Sequence, residues 1–202
     1  MRLTGPTLTL RYPEERDAEA LLRHASDPQV TQWFSWGPYT HVDQPRAWIA
    51  DQQARREDGV QIDFAIEHRE HGVVGITGLT ELSARDRRAI VGTWIGREHW
   101  GTGVNRESKA LIAHLAFAVC GMERISAYAN PDNGRSVRAL EKVGFTREGT
   151  LRRWHRHDDR QLDVDIVGML RDEWHAGALR AEYACSAEGQ PPAPWLVAPP
   201  AG

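Results

Sequence analysis

A loop punctuated by glycines carries the clearest chemical signal in this sequence of 202 residues. Residues 96–103 lie between an apolar, β-branched run at 90–95 and a segment with helical spacing that begins at Val104. Glycines let the backbone turn successive N–H groups toward one point. A helix start adds further unpaired N–H groups and the positive end of the helix dipole. We therefore predict that this loop binds a phosphate group.

Two common phosphate-binding motifs do not fit the loop. A P-loop would need Lys and then Ser or Thr after Gly101, but Thr102 and Gly103 follow. A dinucleotide-binding fingerprint would need a third glycine where Arg106 stands. The absent lysine also disfavours a nucleotide kinase or phosphatase.

The elements that must position this loop follow from the periodicity of the apolar residues. The pattern predicts strands at about 7–12, 62–67, 73–82, 90–95, 124–129, 145–153 and 162–170, and helices at about 13–27, 43–57, 104–119 and 133–143. This order predicts an α/β fold with one mixed sheet of about seven strands and helices on its faces. Ligands in such sheets bind at the carboxyl ends of strands, which is where the glycine loop lies.

Composition and charge limit the partners of the protein. The chain is 41% hydrophobic and 26% charged with a net charge of −3, so we expect no nucleic-acid partner and no membrane partner. The first ten residues lack the apolar core of a signal peptide, and we expect a cytoplasmic protein with Cys120 and Cys185 as reduced thiols. Residues 1–174 form one predicted domain. Residues 175–202, rich in Ala, Pro and Gly, are predicted to be a poorly structured tail, unless Trp195 docks it.

Three motifs, in order and at suitable separations, make the chain similar to the GNAT superfamily of N-acetyltransferases. It resembles the branch of ribosomal-protein N-terminal acetyltransferases over about residues 7–174. The motifs are residues 92–107 (Gly-Thr-Trp-Ile to Trp-Gly-Thr-Gly-Val-Asn-Arg-Glu), residues 130–145 (Asn-Pro-Asp-Asn to Val-Gly-Phe) and residues 147–152 leading to Asp163 (Arg-Glu-Gly-Thr-Leu-Arg).

The resemblance implies acetyl-CoA or a related acyl-CoA as the donor and an amine as the acceptor. It implies a splayed strand pair, 90–96 and 124–129, that receives the pantetheine arm, with the thioester carbonyl near the N–H of Ile95. Asn133 would bond the pantetheine, and Ser136 would protonate the leaving thiolate, although Ser136 also suits the first turn of a helix. The N–H groups that would hold the pyrophosphate belong to Gly101, Thr102, Gly103, Val104 and Asn105.

The chain departs from the family pattern at three positions. Glu98 stands where the family usually has Gln or Arg, Ile90 stands where many relatives have a glutamate base, and His155 replaces another glutamate. Because an imidazole titrates near neutral pH, we predict His155 as the general base. Glu81 and Asp63 are the alternative bases.

The residues around the acceptor and the absence of a metal are further expectations. The aromatic residues of the loop before the second helix form either an acceptor wall or part of the core: Trp33, Phe34, Trp36 and Tyr39. His155 and His157 share one strand face, but further ligands are not evident, so we expect no metal. Homodimers are common in the family, and the sequence leaves the oligomeric state open. The predicted activity is N-acyl transfer by direct attack of the amine on the thioester. The alternative is an acyl-CoA-binding module without turnover.

Overall fold

Nine strands form one sheet in the computed structural model, which describes residues 1–197. The strands are β1 (Arg2–Thr4), β2 (Leu8–Arg11), β3 (Gln61–His68), β4 (Gly72–Ser83), β5 (Arg88–Ile95), β6 (Arg124–Ala129), β7 (Thr146–His157), β8 (Arg160–Leu170) and β9 (Ser186–Glu188). Their order across the sheet is β7-β8-β6-β5-β4-β3-β2-β1-β9. β5 and β6 are parallel neighbours, whereas the other neighbouring pairs are antiparallel.

Helices cover the two faces of this sheet. They are α1 (Ala18–Ala25), α2 (Pro28–Thr31), α3 (Asp43–Glu57), α4 (Val104–His114), α5 (Gly134–Glu141), α6 (Arg171–Ala176) and α7 (Ala178–Glu182), and a π-helical turn at Leu115–Val119 continues α4. The larger core cluster lies on the face under α4 and contains the fully buried side chains of Phe64 and Leu111. On the other face, Leu21 of α1 packs with Ala65, Ile76 and Trp94. We call this second face the acceptor face.

The predicted α/β architecture is confirmed, and the sheet is larger than the seven expected strands. The two additional strands, β1 and β9, contain three residues each and pair with one another at the edge of the sheet. Strands this short give little alternation, so the sequence pattern did not predict them. The antiparallel pair β7 and β8 matches the expected strands around the turn at residues 158–159.

The segment after residue 174 is not a poorly structured tail over the residues that the structure describes. It contributes α7 and β9, and Trp195 is fully buried in the larger core cluster, where its Nε1 donates to the carbonyl of Arg56 at 2.8 Å. The composition of this segment is rich in Ala, Pro and Gly, but Leu179, Trp195 and Val197 bury their side chains. Residues 198–202 of the expected tail lie outside the described range. The division of the chain at residue 174 remains a prediction.

No helix within residues 1–197 is both long enough and apolar enough to cross a lipid bilayer.

Candidate functional site

The parallel strands β5 and β6 separate after only three paired positions. They are in register at Arg88 with Arg124, Ala89 with Ile125 and Ile90 with Ser126, and β5 then continues to Ile95. This is the predicted splayed pair. N–H groups of successive residues point to opposite edges of a strand, and the N–H of Gly96 donates to the carbonyl of Val74 of β4 at 2.8 Å. The N–H groups of Thr93 and Ile95 therefore face the opening toward β6.

The glycine loop lies at the carboxyl end of β5. Gly101 and Gly103 have φ of +78° and +96°, in the left-handed region that favours glycine. Gly103 is the N-cap residue of α4 and supplies no side-chain cap, so the first N–H groups of the helix remain available. A Cβ atom at either glycine would meet no atom within 4 Å, which leaves room above the turn for a ligand. Thr102 Oγ1 donates to the carbonyl of His99 at 2.7 Å and holds the turn in shape.

The start of α5 lies beside the same end of the opening. Asn133 caps α5, as predicted, because its Oδ1 accepts a hydrogen bond from the N–H of Ser136 at 3.2 Å. Arg135 stacks its guanidinium 3.5 Å from the ring centroid of Trp100, and Trp100 Nε1 donates to the carbonyl of Ile95 at 2.8 Å. These contacts connect the first turn of α5 to the end of β5. Asn133 and Ser136 are both half-buried there.

Trp36 and Tyr39, two of the four aromatic residues considered for the acceptor wall, stack beside β5. The ring centroid of Trp36 lies 5.9 Å from that of Trp94 on the acceptor face and 5.3 Å from that of Tyr39. Trp33 is half-buried, but within residues 1–197 its ring pairs with no member of this stack. The loop thus brings aromatic rings to the acceptor face, and the acceptor wall itself remains a prediction.

His155 lies on the far side of the opening, against β6. Its ring meets that of Tyr128 edge-on at 5.3 Å, and the Tyr128 hydroxyl donates to Glu81 Oε2 at 3.3 Å. Burial lowers the pKa of His155 from its ordinary value, and the nearby His157 lowers this pKa further, whereas Glu81 raises it. A neutral imidazole is thereby favoured, which a general base requires.

Asp63 is a functional candidate that the sequence offered only as an alternative base. It lies on the acceptor face of β3, is 7% exposed, and accepts a hydrogen bond from Gln61 Nε2 at 2.5 Å. Burial raises the pKa of Asp63 to about 7, although the bond from Gln61 and the charge of Arg55 lower it. The signal in the sequence was a carboxylate inside the otherwise apolar run 62–66.

A buried lysine lies on the opposite face of the sheet. Lys109 of α4 is 4% exposed and donates a hydrogen bond to Thr93 Oγ1. Thr93 Oγ1 is also 2.6 Å from Thr77 Oγ1 on β4. Burial lowers the pKa of Lys109 to about 7, because desolvation disfavours the charged form of the amine.

One further group of titratable side chains lies behind the glycine loop. The ligand atoms of His24, Glu98 and His99 lie within 4.8 Å of one another, and His24 Nδ1 is 3.3 Å from a carboxylate oxygen of Glu98. His24 is 2% exposed, and its Nε2 is 3.0 Å from the Val73 carbonyl. The guanidinium of Arg23 lies 3.3 Å from His24 Nε2 and lines a cavity together with Glu98 and His99. Its positive charge would repel a divalent cation bound there. The expected absence of a metal remains a prediction.

Comparisons with known proteins agree with this geometry. Residues 7–146 match the model of the acetyltransferase (GNAT) domain family. An uncharacterized N-acetyltransferase of Bacillus licheniformis, p20, is 32% identical over 168 residues, which cover 83% of this chain and 94% of that protein. RimJ of Mycobacterium smegmatis, solved with CoA-disulfide, has a TM-score of 0.78 at 23% identity and covers 91% of this chain and 94% of its own. A spermidine N-acetyltransferase of Vibrio cholerae, solved with CoA and spermine, has a TM-score of 0.71 at 22% identity, with coverage of 84% and 98%.

Proposed function

This chain belongs to the GNAT acetyltransferase family, and we propose that it transfers the acetyl group of acetyl-CoA to a primary amine. The amine attacks the thioester directly, without a covalent enzyme intermediate. Burial raises the pKa of Cys120 to about 12 and that of Cys185 to about 11, so neither thiol supplies a thiolate nucleophile near neutral pH.

The single observation that carries the proposal is the opening between β5 and β6 with the glycine turn at its end. The unpaired edge of β5 offers N–H and carbonyl groups to the two amides of a pantetheine arm, as a neighbouring strand would. The amides of residues 101–105 lie where the pyrophosphate of the same cofactor would end. Both GNAT neighbours described above were captured with CoA or a CoA derivative, which supports the same donor here.

The positions of individual residues support the roles that we propose for them. The N–H of Ile95 faces the opening and would donate to the thioester oxygen, stabilising the charge that develops on it. The side-chain oxygen of Asn133 caps α5, which leaves its amide nitrogen for the pantetheine. The Ser136 hydroxyl would return a proton to the leaving thiolate of CoA. Trp36 packs against Trp94 of β5, and Tyr39 packs against Trp36, so both rings would line the acceptor side of the opening.

Two measurements test the proposal. Isothermal titration should give a dissociation constant for acetyl-CoA well below about 1 mM, a weak-binding limit. Release of free thiol should then depend on an added amine from a panel of alkylamines, polyamines, amino acids, aminoglycosides and peptide N-termini. Binding weaker than that limit contradicts the proposal. Tight binding without thiol release for any amine would favour the non-catalytic acyl-CoA-binding module. The observation behind this alternative is the buried Ile90, which stands where many relatives have a glutamate base.

A further inference from the structure

A row of three residues crosses the acceptor face at the middle of the sheet. Asp63 of β3 is paired with Gly78 of β4, and Gly78 is paired with Gly92 of β5. Residues paired in this way project from the same face of a sheet. Gly78 and Gly92 lie side by side on neighbouring strands and have no side chains. They therefore leave a groove that starts at the Asp63 carboxylate and ends at the opening between β5 and β6.

The carboxylate extends into this groove. A Cβ atom built on Gly78 would lie 1.9 Å from Asp63 Oδ1, so this oxygen lies directly above the backbone of Gly78. A Cβ atom on Gly92 would meet no atom within 4 Å, which means that the space beyond Gly78 is open. Adjacent strands are about 5 Å apart, so Asp63 Oδ1 lies roughly one strand spacing from the space above Gly92. A small ligand above Gly92 comes within reach of this oxygen, directly or through one water molecule.

The environment of Asp63 holds the carboxylate in place and leaves one oxygen free for a ligand. Gln61 donates to Oδ2, and Arg55 of α3 donates to Oε1 of Gln61 at 2.7 Å. Within residues 1–197, no group donates a hydrogen bond to Asp63 Oδ1. Tyr128 of β6 lies across the opening, where its hydroxyl bonds to Glu81 of β4 and its ring contacts His155. The positive charges nearest these groups are Arg55, which is bound to Gln61, and Arg88 of β5, whose charge lowers the pKa of Tyr128.

We propose that Asp63 accepts a proton from an alkylammonium acceptor lying above Gly92, and that this groove selects primary alkylamines without a carboxylate beside the nitrogen. The inference rests on the proposed acetyl transfer and deepens it. A nearby acceptor carboxylate is disfavoured because Asp63 and Glu81 already place negative charge at the groove.

The proton and electron balance of the step is complete with these groups. The ammonium nitrogen reacts at the thioester near Ile95, three residues or about 10 Å along β5 from Gly92, so it gives one proton to the Asp63 carboxylate through water molecules in the groove and becomes a neutral amine. The amine lone pair attacks the thioester carbon, the C–N bond forms, and the C–S bond breaks with its electrons on sulfur. The nitrogen then loses its second proton, and the thiolate gains one, so that the products are an amide, free CoA and one proton held by Asp63. Burial raises the pKa of Asp63 to about 7, which suits a group that must both accept this proton and release it to solvent.

The test is the pH profile of kcat for the full chain with a linear alkylamine such as spermidine, from about pH 5.5 to 9. In the wild type, kcat should rise through about pH 7 as Asp63 ionises. Asp63→Asn keeps the size of the side chain and should lower kcat by about 10²–10⁴-fold and abolish this rise. The dissociation constant of acetyl-CoA should change by less than about threefold, a difference below 1 kcal/mol. Asp51→Asn, which removes an exposed carboxylate from α3, is the matched control and should behave like the wild type.

A kcat for Asp63→Asn within about threefold of the wild type overturns the inference, as does survival of the rise near pH 7. It is equally overturned if Glu81→Gln or His155→Gln, and not Asp63→Asn, removes that rise. Absence of acetyl-CoA binding by the wild type is the separate failure of the proposed function. If the wild type binds acetyl-CoA without turnover, titration of spermidine into the CoA complex decides: Asp63→Asn should weaken its binding at least about tenfold, and unchanged binding contradicts the inference. If Asp63→Asn does not fold, Gly92→Leu, which fills the groove and leaves residue 63 unchanged, should lose turnover, and full turnover of Gly92→Leu overturns the inference.

Discussion

Asp63 and Lys109 are buried on opposite faces of the same three strands, one against the acceptor face and one under α4. Two adjacent cross-strand pairs of β4 and β5 lie between them. Gly78 with Gly92 faces the acceptor side, and Thr77 with Thr93 faces α4. On the acceptor face two glycines leave open space in front of the carboxylate. On the α4 face the hydroxyls of Thr77 and Thr93 fill the corresponding position, and the Thr93 hydroxyl accepts a hydrogen bond from the amine.

The difference shows that a pKa shifted by burial does not by itself identify a reactive group. Burial brings the pKa of Asp63 and that of Lys109 to about 7, one from below and one from above. Only Asp63 faces a space that a ligand can enter, whereas Lys109 is covered by its own helix. The structure therefore predicts a chemical role for the first residue and a structural role for the second.

The largest expected effect is on the pH dependence of stability at these two residues. The folded state favours protonated Asp63, with a pKa of about 7 against an unfolded value of about 3.9, so the free energy of unfolding should fall as the pH rises from about 4 to 7. It favours neutral Lys109, with a pKa of about 7 against about 10.4, so this free energy should rise between about pH 7 and 10. Each change is at most about 4–5 kcal/mol.

Urea unfolding at several pH values measures both slopes. Asp63→Asn should flatten the acidic limb and leave the alkaline limb, and Lys109→Met should do the opposite. Loss of acetyl transfer in a folded Lys109→Met protein would contradict the structural role of Lys109. The same slopes in both variants as in the wild type would contradict the assigned burial of both groups.

The next largest effect concerns neighbouring residues of β5 that point to opposite faces. Gly92→Val fills the open space before Asp63 and should lower kcat/KM for an alkylamine by about 100-fold, since a displacement of about 1 Å in an acceptor costs this much. Thr93→Val preserves the shape of the side chain and removes the hydroxyl that binds Lys109. It should lower stability by about 1 kcal/mol and leave kcat/KM within about threefold. Equal losses of activity in the two variants would mean that the groove has no special role.

A smaller effect is expected for binding of the donor. Gly103→Ala places a side chain at φ +96° at the start of α4, a strain of about 1–2 kcal/mol that moves the turn, and acetyl-CoA should bind about tenfold more weakly. Gly72→Ala is the matched control, because Gly72 has φ +68° and a methyl group added there would meet no atom within 4 Å. It carries similar strain in the turn between β3 and β4. Isothermal titration that finds the same weakening in both variants would assign the loss to strain alone.

Local features of the site were predictable from the sequence, and features that depend on register were not. The glycine turn before α4 and the Asn133 cap depend on residues a few positions apart, and both occur as predicted. The groove of Asp63, Gly78 and Gly92 requires the register of three strands, which a residue pattern in one strand does not determine. The group of His24, Glu98 and His99 was also missed, because His24 comes from α1 whereas Glu98 and His99 come from the loop after β5.

The smallest expected effect tests the base that the sequence favoured. His155 lies across the opening from the groove and contacts Tyr128, not the space above Gly92. If Asp63 takes the proton, His155→Gln should lower kcat by no more than about threefold at about pH 8, and the rise near pH 7 should persist. His157→Gln, in the same strand, is the control for loss of an imidazole from this region. A fall of about 10²–10⁴-fold confined to His155→Gln would return the role of general base to His155, because a loss of that size is typical of a missing proton acceptor.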